Sequence, residues 1–395
     1  MWTRSFISAC LGNFMLFFAF YQLIPIFPLY LIEEFGTSKS LVGIVLSSYT
    51  LAALLIRPIS GFLLDMFRRK PQYLIAFLVF VLTFISYPIV HTISLFMLFR
   101  VLHGFAFGYV TTAGNSLVVD ILPASRRGEG LGFFGVSNNM AMVVGPMTGM
   151  ILLEKYNYDI VFYLSIVTGL IGFIFAMSIK VEKTQQITEK TPLAFDRFFL
   201  IKGFQSGLTL MLMGVSYGMF ITYLAIYGQE LGIISGLGFF FTLLAIGLII
   251  SRLFAGKMVD RGRMVQTIQW GMLVTLLGML LLGSLKGLDA WSDQLVNVLF
   301  FIIPVILGFG YGMVFPAYNT LFVNLAPNNR RATASSTFMT SWDLGIGIGL
   351  IMGGQLADTS GGLSLAFILG ALLILFSYIF FLKQAGPHYQ RNKLR

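Results

Sequence analysis

Apolar runs of about 20 residues follow one another along nearly the whole chain, and each is long enough to cross roughly 30 Å of hydrocarbon as a helix. Runs such as "LLIRPISGFLL" and "FTLLAIGLII" do not alternate polar and apolar residues, so they predict helices rather than strands. The polar intervals between the runs are too short for a soluble domain. The pattern therefore predicts an all-α polytopic membrane protein with about twelve transmembrane spans, at 6–30, 40–62, 72–92, 95–118, 129–153, 158–179, 200–227, 234–256, 265–285, 295–323, 331–356 and 361–382.

Composition supports a membrane location and shows how the chain should be oriented. Hydrophobic residues make up 57% and charged residues 11% of the chain, whereas soluble domains carry roughly a quarter charged residues. With a cytoplasmic amino terminus, nearly all of the 26 Lys and Arg fall on the cytoplasmic side; Lys39, Lys155 and Lys286 lie outside and Arg100 within a span. This is the positive-inside bias. We therefore expect a bacterial cytoplasmic membrane protein, in contact with lipid, with both termini cytoplasmic, and no role in binding nucleic acid.

The chain consists of two related halves. The only long charged interval, 180–202, predicts a cytoplasmic linker between six-helix bundles at 1–179 and 203–395. "RPISGFLLD" (57–65) matches "RLFAGKMVD" (252–260) at an offset of 195 residues. At an offset of 204 residues, Gly104, Gly108, Gly145 and Gly149 match Gly308, Gly312, Gly349 and Gly353. Two pseudo-symmetric bundles indicate a transporter with its substrate site near the bilayer midplane.

The loop after span 2, "GFLLDMFRRK" (61–70), and its second copy, "GKMVDRGR" (256–263), resemble motif A of the major facilitator superfamily, G-x-x-x-D-R-x-G-R-K/R. Met66 and Arg68 depart from the motif. The resemblance covers essentially the whole chain, which looks most like the twelve-span proton-coupled drug exporters. The residues assigned to gating on this basis are Gly61, Asp65, Arg69, Asp120, Arg126, Arg127, Gly256, Asp260, Arg261, Arg263, Arg330 and Arg331.

The resemblance implies specific partners for these charges. Asp65 should face the start of span 11 near Arg331, and Asp260 the start of span 5 near Gly128, because a helix amino terminus favours an anion. Arg69 should pair with Asp120 at the end of span 4. Asn324 stands in the second half where Asp120 stands in the first, so that gate should be the weaker. The alternative is that these charges only fix the topology.

The segment "RVLHGFAFG" (100–108) resembles motif B, R-x-x-Q-G, with His103 in place of glutamine. The resemblance makes Arg100 a polar anchor inside the cavity, tied to proton coupling, although an arginine at this depth can also extend to the outer interface. His103 is either a second titrating group or a hydrogen-bonded residue of the cavity wall.

The segment "GFFGVSNNMAMVVGPMTGM" (132–150) resembles motif C, which in the family accompanies export by antiport. Ala141 and Met150 replace two of its usual glycines. Small residues allow close helix approach, and a proline should disrupt the helix locally. Generic close packing is the alternative reading. The residues that fit the motif are Gly132, Gly145, Pro146 and Gly149.

Asp343 is the candidate proton-coupling acid. It lies twelve residues into span 11, or roughly 18 Å at 1.5 Å per residue, where an ionised carboxylate is costly. A group that switches charge there is suited to coupling proton entry to substrate exit, and the glycines at 345, 347 and 349 should leave room for a moving helix or a water. Alternatively, Asp343 stays bonded throughout the cycle, to Asn138, Asn139 or Trp342.

The resemblance also implies that spans 1, 4, 7 and 10 line the cavity. Abundant aromatic residues and Met suggest an adaptable, largely apolar lining for amphipathic organic compounds. "GVSYG" (214–218) has a hydrolase-like spacing, but it lies inside an apolar span, so we expect no enzyme. No cofactor or metal site is predicted. The cavity candidates are Asn13, Tyr21, Gln22, Asn115, Asn138, Asn139, Tyr217, Tyr223, Tyr318 and Asn319.

Three functions remain open at this point. Export by proton antiport is favoured, with a small-molecule substrate, protons and a monomeric protein. Uptake of a sugar or small metabolite by proton symport is the alternative, because several of these motifs are shared across the superfamily. A membrane sensor or an enzyme built on a transporter scaffold is the third.

Overall fold

The protein is helical throughout the part of the chain that the computed structural model describes, which is residues 2–123, 126–181, 199–233, 235–288, 292–327 and 330–394; no strand occurs there. Clustering of contacts gives two compact units. The first contains Met1–Thr37 and Ser48–Thr191, and the second Ser38–Ser47 and Pro192–Arg395. Most of the predicted linker, 182–198, lies outside the described residues, so the linker and its boundaries stay predictions.

The first unit is built from seven helices within its described residues, the second of which continues the first across a short break. A 3₁₀ turn, Tyr87–Ile89, follows the fourth helix. The helices are α1 (Arg4–Tyr21), α2 (Ile26–Phe35), α3 (Lys39–Met66), α4 (Arg69–Ser86), α5 (Ile93–Ile121), α6 (Arg127–Lys155) and α7 (Tyr158–Met177). The first turns of α3 are grouped with the second unit.

The second unit contains the remaining helices. A π-helical turn, Phe381–Ala385, joins the last two of them. The helices are α8 (Phe204–Glu230), α9 (Leu237–Asp260), α10 (Met264–Leu288), α11 (Asp293–Leu325), α12 (Arg331–Ala357), α13 (Gly362–Phe380) and α14 (Gly386–Asn392).

Eleven segments of the described chain are long and apolar enough to cross a membrane. They match the predicted spans, with α1 and α2 counted together as the first. The predicted span at 331–356 corresponds to α12, which is long enough but is not among the eleven. It carries Asp343, five glycines and six Ser or Thr residues. Polar and glycine positions thus replace apolar side chains in this helix, as a functional helix shielded from lipid would allow.

The first span is interrupted, which the apolar pattern did not predict. α1 begins at a cap in which the Thr3 hydroxyl accepts a hydrogen bond from the Phe6 amide at 3.2 Å, and it ends at Tyr21. Residues 22–25 form turns before α2 begins. Pro25 has no N–H to donate, and the Pro28 ring would clash with the Ile24 carbonyl in a continuous helix. The break therefore follows from the two prolines.

Pro146 does not have the expected effect, because α6 runs unbroken from Arg127 to Lys155 with Pro146 inside it. Proline removes one backbone hydrogen bond, to the Met142 carbonyl, but it does not by itself end a helix within a membrane, where neighbouring helices hold the segment in place.

Both units repeat one helix contact, in the register that the sequence offsets predict. In the first unit, a Cβ atom at Gly104 or Gly108 of α5 would collide with the backbone of α3 at Tyr49 or Ala53. In the second, a Cβ atom at Gly308 of α11 would collide with the backbone of α9 at Leu244. Since Tyr49 and Leu244 are 195 residues apart and the glycines 204, the internal repeat extends to backbone packing.

Candidate functional site

The break between α1 and α2 is fixed by polar contacts inside the first unit. Asn13, on α1, donates from Nδ2 to the Ser137 hydroxyl of α6 at 2.9 Å. Gln22, at the start of the break, is fully buried and donates from Nε2 to the Ser165 hydroxyl of α7 at 2.8 Å. Its Oε1 has no hydrogen-bond partner among the residues that the structure describes. Two predicted cavity residues therefore tie the interrupted helix to its neighbours.

Two glycines of the motif C segment contact this break directly. A Cβ atom at Gly145 would lie 2.7 Å from the Tyr21 Cβ, and one at Gly149 would overlap the Gln22 carbonyl oxygen. By contrast, a Cβ atom at Gly132 would meet nothing within 4 Å. Only part of the motif is therefore needed for close approach between α6 and the interrupted helix.

Arg100 lies deep within the first unit, with only 4% of its surface exposed. Its guanidinium carbon is 4.8 Å from the centre of the Phe27 ring and 4.4 Å from that of Tyr49, so aromatic faces on α2 and α3 hold the charge. Its Nε and Nη1 atoms have no hydrogen-bond partner among the described residues. An unsatisfied buried donor costs about 1–3 kcal/mol. Arg100 is therefore buried inside the first unit, and its role as a polar anchor stays a prediction.

His103 lies one turn further along α5 and is fully buried. Its Nδ1 is 2.6 Å from the hydroxyl of Tyr87, and the same hydroxyl interacts with Arg100. The rings of Phe80 and Phe84 lie within 5 Å, at 4.6 and 4.7 Å between centroids. A protonated imidazole would put a second positive charge beside Arg100 in apolar surroundings. This geometry favours the reading of His103 as a neutral, hydrogen-bonded residue.

In the second unit, an aromatic cluster surrounds the segment that carries Asp343. The Trp342 ring centre lies 5.1 Å from that of Tyr217 on α8 and 5.2 Å from that of Phe315 on α11. Tyr217 and Tyr311 are 4.9 Å apart, edge to face. Asp343 is the half-buried neighbour of Trp342 on α12. The rings of Trp342, Tyr217 and Tyr311 are buried, and electron-rich rings of this kind can hold an organic cation that a nearby carboxylate attracts.

The glycines beside Asp343 leave less room than expected. A Cβ atom at Gly345 would collide with the Met211 carbonyl oxygen, and one at Gly349 with the Val215 carbonyl oxygen. The flank that Gly345 and Gly349 open is thus occupied by the backbone of α8, and room for a moving helix or a water stays a prediction.

The other cavity candidates fall into two groups. The Tyr223 hydroxyl donates to the Leu350 carbonyl at 2.7 Å, and the Tyr318 hydroxyl to the Thr209 hydroxyl at 2.7 Å. Both tyrosines are fully buried and serve helix packing. The remaining candidates are at least partly exposed: Asn115 and Asn319 are exposed, and Asn138 and Asn139 are exposed by an intermediate amount.

The ion pair that motif A implies is present within the first unit. Arg69 Nη1, at the start of α4, lies 2.7 Å from Asp120 Oδ1, near the end of α5. In the second unit Asn324 instead donates from Nδ2 to the Tyr389 hydroxyl of α14 at 3.2 Å. The side chains of Asp65, Arg127, Asp260 and Arg331 lie outside the described residues, so their predicted partners stay predictions.

Removing either member of the Arg69–Asp120 pair should weaken the contact between α4 and α5. Because both side chains are partly exposed, we expect a coupling free energy of about 1 kcal/mol. A double-mutant cycle with Arg69→Gln and Asp120→Asn, read by thermal unfolding in detergent, measures it. Strictly additive effects of the two substitutions would show that the pair contributes nothing.

A second charged cluster, the Lys39 clasp, joins the start of α3 to the other helices of the second unit. Asp358 accepts hydrogen bonds from the amides of Ser40 at 2.8 Å and Lys39 at 3.3 Å, which are free donors at a helix start. Lys39 also forms an ion pair with Glu230 at the end of α8. The clasp was missed because Asp358 and Lys39 are far apart in the sequence.

The Lys39 clasp should weaken only in acid. Burial raises the pKa of Asp358, but the hydrogen bonds from Ser40 and Lys39 and the Lys39 charge outweigh it and hold the pKa below its ordinary 3.8. The stabilisation is thus complete at pH values above the ordinary pKa of 3.8, and it is lost as the pH falls through the lower pKa of Asp358 in the folded protein. Asp358→Asn should cost about 0.3–1 kcal/mol, equally at pH 5 and pH 8. A thermal-unfolding difference that changes between these pH values would contradict this assignment.

Sequence reasoning also missed Tyr87, Phe27 and Tyr311, which complete the two clusters. They lie on other elements than Arg100 and Asp343, and each is one of many aromatic residues in an apolar run. The single local signal for any of the three is the glycine on each side of Tyr311, Gly310 and Gly312, because such glycines mark a site of close helix packing.

Relatives with assigned roles align along most of the chain. The staphylopine export protein of Staphylococcus aureus is 22% identical over 366 residues, which are 90% of each protein. The quinolone resistance protein NorA of Staphylococcus aureus is 25% identical over 360 residues, or 87% of this chain and 88% of NorA.

Solved structures share the fold. The nucleoside transporter NupG has a TM-score of 0.75 at 14% identity, over 96% of this chain and 98% of its own. A bacterial homologue of the human lysosomal transporter Spinster, inward-facing and occupied, has a TM-score of 0.75 at 12% identity. The match covers 99% of this chain and 98% of the homologue's chain. At such identities the likeness concerns the fold alone.

The family model of the Major Facilitator Superfamily matches residues 9–349, and a second match covers 206–394. The two matches together span nearly all of the described helices. The family and the aligned relatives are transporters and not enzymes. This chain therefore belongs to the Major Facilitator Superfamily and is a multi-pass membrane transporter.

Proposed function

We propose that the protein exports small amphipathic organic compounds from the cytoplasm in exchange for protons, by alternating access. The observation that carries the proposal is the position of Asp343, which is half-buried in mid-helix on α12 and directly follows Trp342, a member of the ring cluster with Tyr217 and Tyr311. A carboxylate there attracts either a proton or a cationic compound. If the two compete for Asp343, proton entry drives the release of the compound.

The direction of transport is supported by the relatives. One is named for the export of staphylopine and another for resistance to quinolones, so the two names refer to different compounds. The aromatic cluster suits such breadth, because ring faces bind apolar bodies with little demand on their detailed shape. In the second unit, the exposed Asn319 would supply a hydrogen bond to a polar group of the compound.

In proton-coupled transport, the two units would have separate roles. Asp343 takes up the proton, while Arg100 and the Tyr87–His103 pair form a polar anchor in the first unit. The segment that matches motif C in part, with Gly145 and Gly149 against the interrupted helix, provides the close packing that goes with antiport in the family. Exposed apolar side chains such as Leu55, Ile75 and Ile174 contact lipid.

The motif A loops and the Lys39 clasp would form and release in different states of the cycle. With both termini in the cytoplasm, the clasp lies at the outer face of the bacterial inner membrane and the Arg69–Asp120 pair at the inner face. The protein works as a monomer in this scheme, since each chain holds both repeats.

An efflux assay tests the proposal in a bacterial host that lacks its own drug pumps. Cells with and without the protein are loaded with fluorescent amphipathic compounds, including ethidium as a cation and matched zwitterions and acids. We expect faster efflux of at least one compound, abolished when the proton gradient is collapsed. Faster entry of the compounds, driven by the same gradient, would instead indicate symport, the alternative function.

A further inference from the structure

The most unusual group outside the proposed coupling acid is the Arg100 guanidinium. It is buried, enclosed by the faces of Phe27 and Tyr49, and its Nε and Nη1 atoms have no acceptor. An arginine keeps its charge in any protein environment. With so little surface exposed, water has little access to replace the missing acceptors. The site therefore carries a positive charge whose hydrogen-bonding capacity is unfilled.

No carboxylate of the described residues forms an ion pair with Arg100. Asp120, on the same helix, is paired with Arg69, and Glu33 accepts a hydrogen bond from the Tyr158 hydroxyl at 2.6 Å. A buried charge in a membrane protein is normally paired or marks a site for a ligand. Since Arg100 is not paired with a carboxylate of the described residues, it is a candidate site for a ligand.

The Tyr87 hydroxyl can accept one hydrogen bond from Arg100, which leaves the donors at Nε and Nη1 unfilled among the described residues. The Tyr87 hydroxyl interacts with Arg100, and if it accepts from the guanidinium it donates its own proton to His103 Nδ1. His103 then carries its proton on Nε2, which also has no partner. The unfilled donors on Arg100 complement an anion, and the planar guanidinium complements a carboxylate in particular. The rings of Phe27 and Tyr49 beside it suit an aromatic or apolar body.

We propose that Arg100 binds a carboxylate of the transported compound, so that the substrates include aromatic monocarboxylates and zwitterions. This inference rests on the proposed function, since it names a substrate class for that exporter. One guanidinium neutralises one carboxylate, and among the described residues of the first unit no second arginine or lysine shares the cluster, so the site selects a single negative charge.

Binding measurements on the purified protein in lipid nanodiscs test the proposal. Isothermal titration compares benzoate, hippurate and indole-3-acetate with their neutral carboxamides, which have nearly the same size and shape. We expect at least one acid to bind about 10- to 100-fold more tightly than its amide, the range of a charge-assisted hydrogen bond. If no acid binds more tightly than its amide, the proposal is wrong.

Variants separate recognition from folding. Arg100→Gln should remove the preference for the acid, and Arg100→Lys should keep part of it, because the charge remains. Arg252→Gln is the matched control, since it removes a half-buried arginine from α9 in the second unit; it should keep the whole preference. A preference that survives in Arg100→Gln would overturn the assignment, and the wild-type comparison stands even if that variant fails to fold.

Failure of the Arg100 carboxylate site can be distinguished from failure of the proposed export function. If the acid preference is found but membrane vesicles move no compound in response to a proton gradient, the anion site stands and export fails. If ethidium is exported while acids and amides bind equally, export stands and the role of Arg100 as a carboxylate receptor fails.

Discussion

Asp343→Asn should produce a transporter that folds and still binds its compound but no longer exports it against a gradient. The amide has nearly the shape of the protonated carboxyl group, so α12 should keep its packing against α8. It cannot take up or release a proton at any physiological pH. In reconstituted liposomes, proton movement driven by the compound should fall to the level of protein-free liposomes, while exchange of compound down its own gradient continues.

The control for this prediction is Asp159→Asn, which removes an exposed carboxylate in the first turn of α7. That variant should keep full proton-coupled export. If Asp343→Asn still exports in a proton-dependent way, then Asp343 remains bonded throughout the cycle and another group carries the proton.

Gly149→Ala should destabilise the protein, whereas Gly132→Ala should be neutral or stabilising. Both glycines lie in α6 and both fit motif C, but the added methyl would overlap the Gln22 carbonyl oxygen only at Gly149. Alanine favours a helix over glycine by up to about 1 kcal/mol. At Gly149 a backbone clash outweighs this gain, and overpacking of this kind costs about 1–3 kcal/mol.

Both variants are compared in the same detergent by the midpoint of thermal unfolding and by the yield of monodisperse protein after purification. We expect a lower midpoint and yield for Gly149→Ala, with export reduced to match, because the clash forces the interrupted helix away from α6. Equal midpoints for the two variants would show that motif C does not act through this contact.

The helical architecture was predictable because it follows from rules that act locally along the chain. Twenty-residue apolar runs define spans, and the offset of 204 residues between Gly104 and Gly308 located equivalent close contacts in the two units. The break in the first span was not predicted, although Pro25 and Pro28 are visible in the sequence, because the apolar run continues through them. A hydropathy pattern registers apolarity and does not register the loss of a backbone donor.

The candidate site was less predictable, for a physical reason. Arg100 and His103 stood out as single polar residues in an apolar helix. Their environment depends on Phe27, Tyr49 and Tyr87, which come from separate elements, and no spacing distinguishes these rings from the many aromatic residues that pack elsewhere. The Arg69–Asp120 pair was foreseen only through the family resemblance, and the Lys39–Asp358 contact not at all.

Transport by inside-out membrane vesicles tests the central claim most directly. Acidifying the vesicle lumen, which corresponds to the outside of the cell, should drive an exported compound from the bath into the lumen as protons leave. Asp343→Asn vesicles should not accumulate it. Expulsion of the compound from wild-type vesicles under the same gradient would contradict export and identify a symporter.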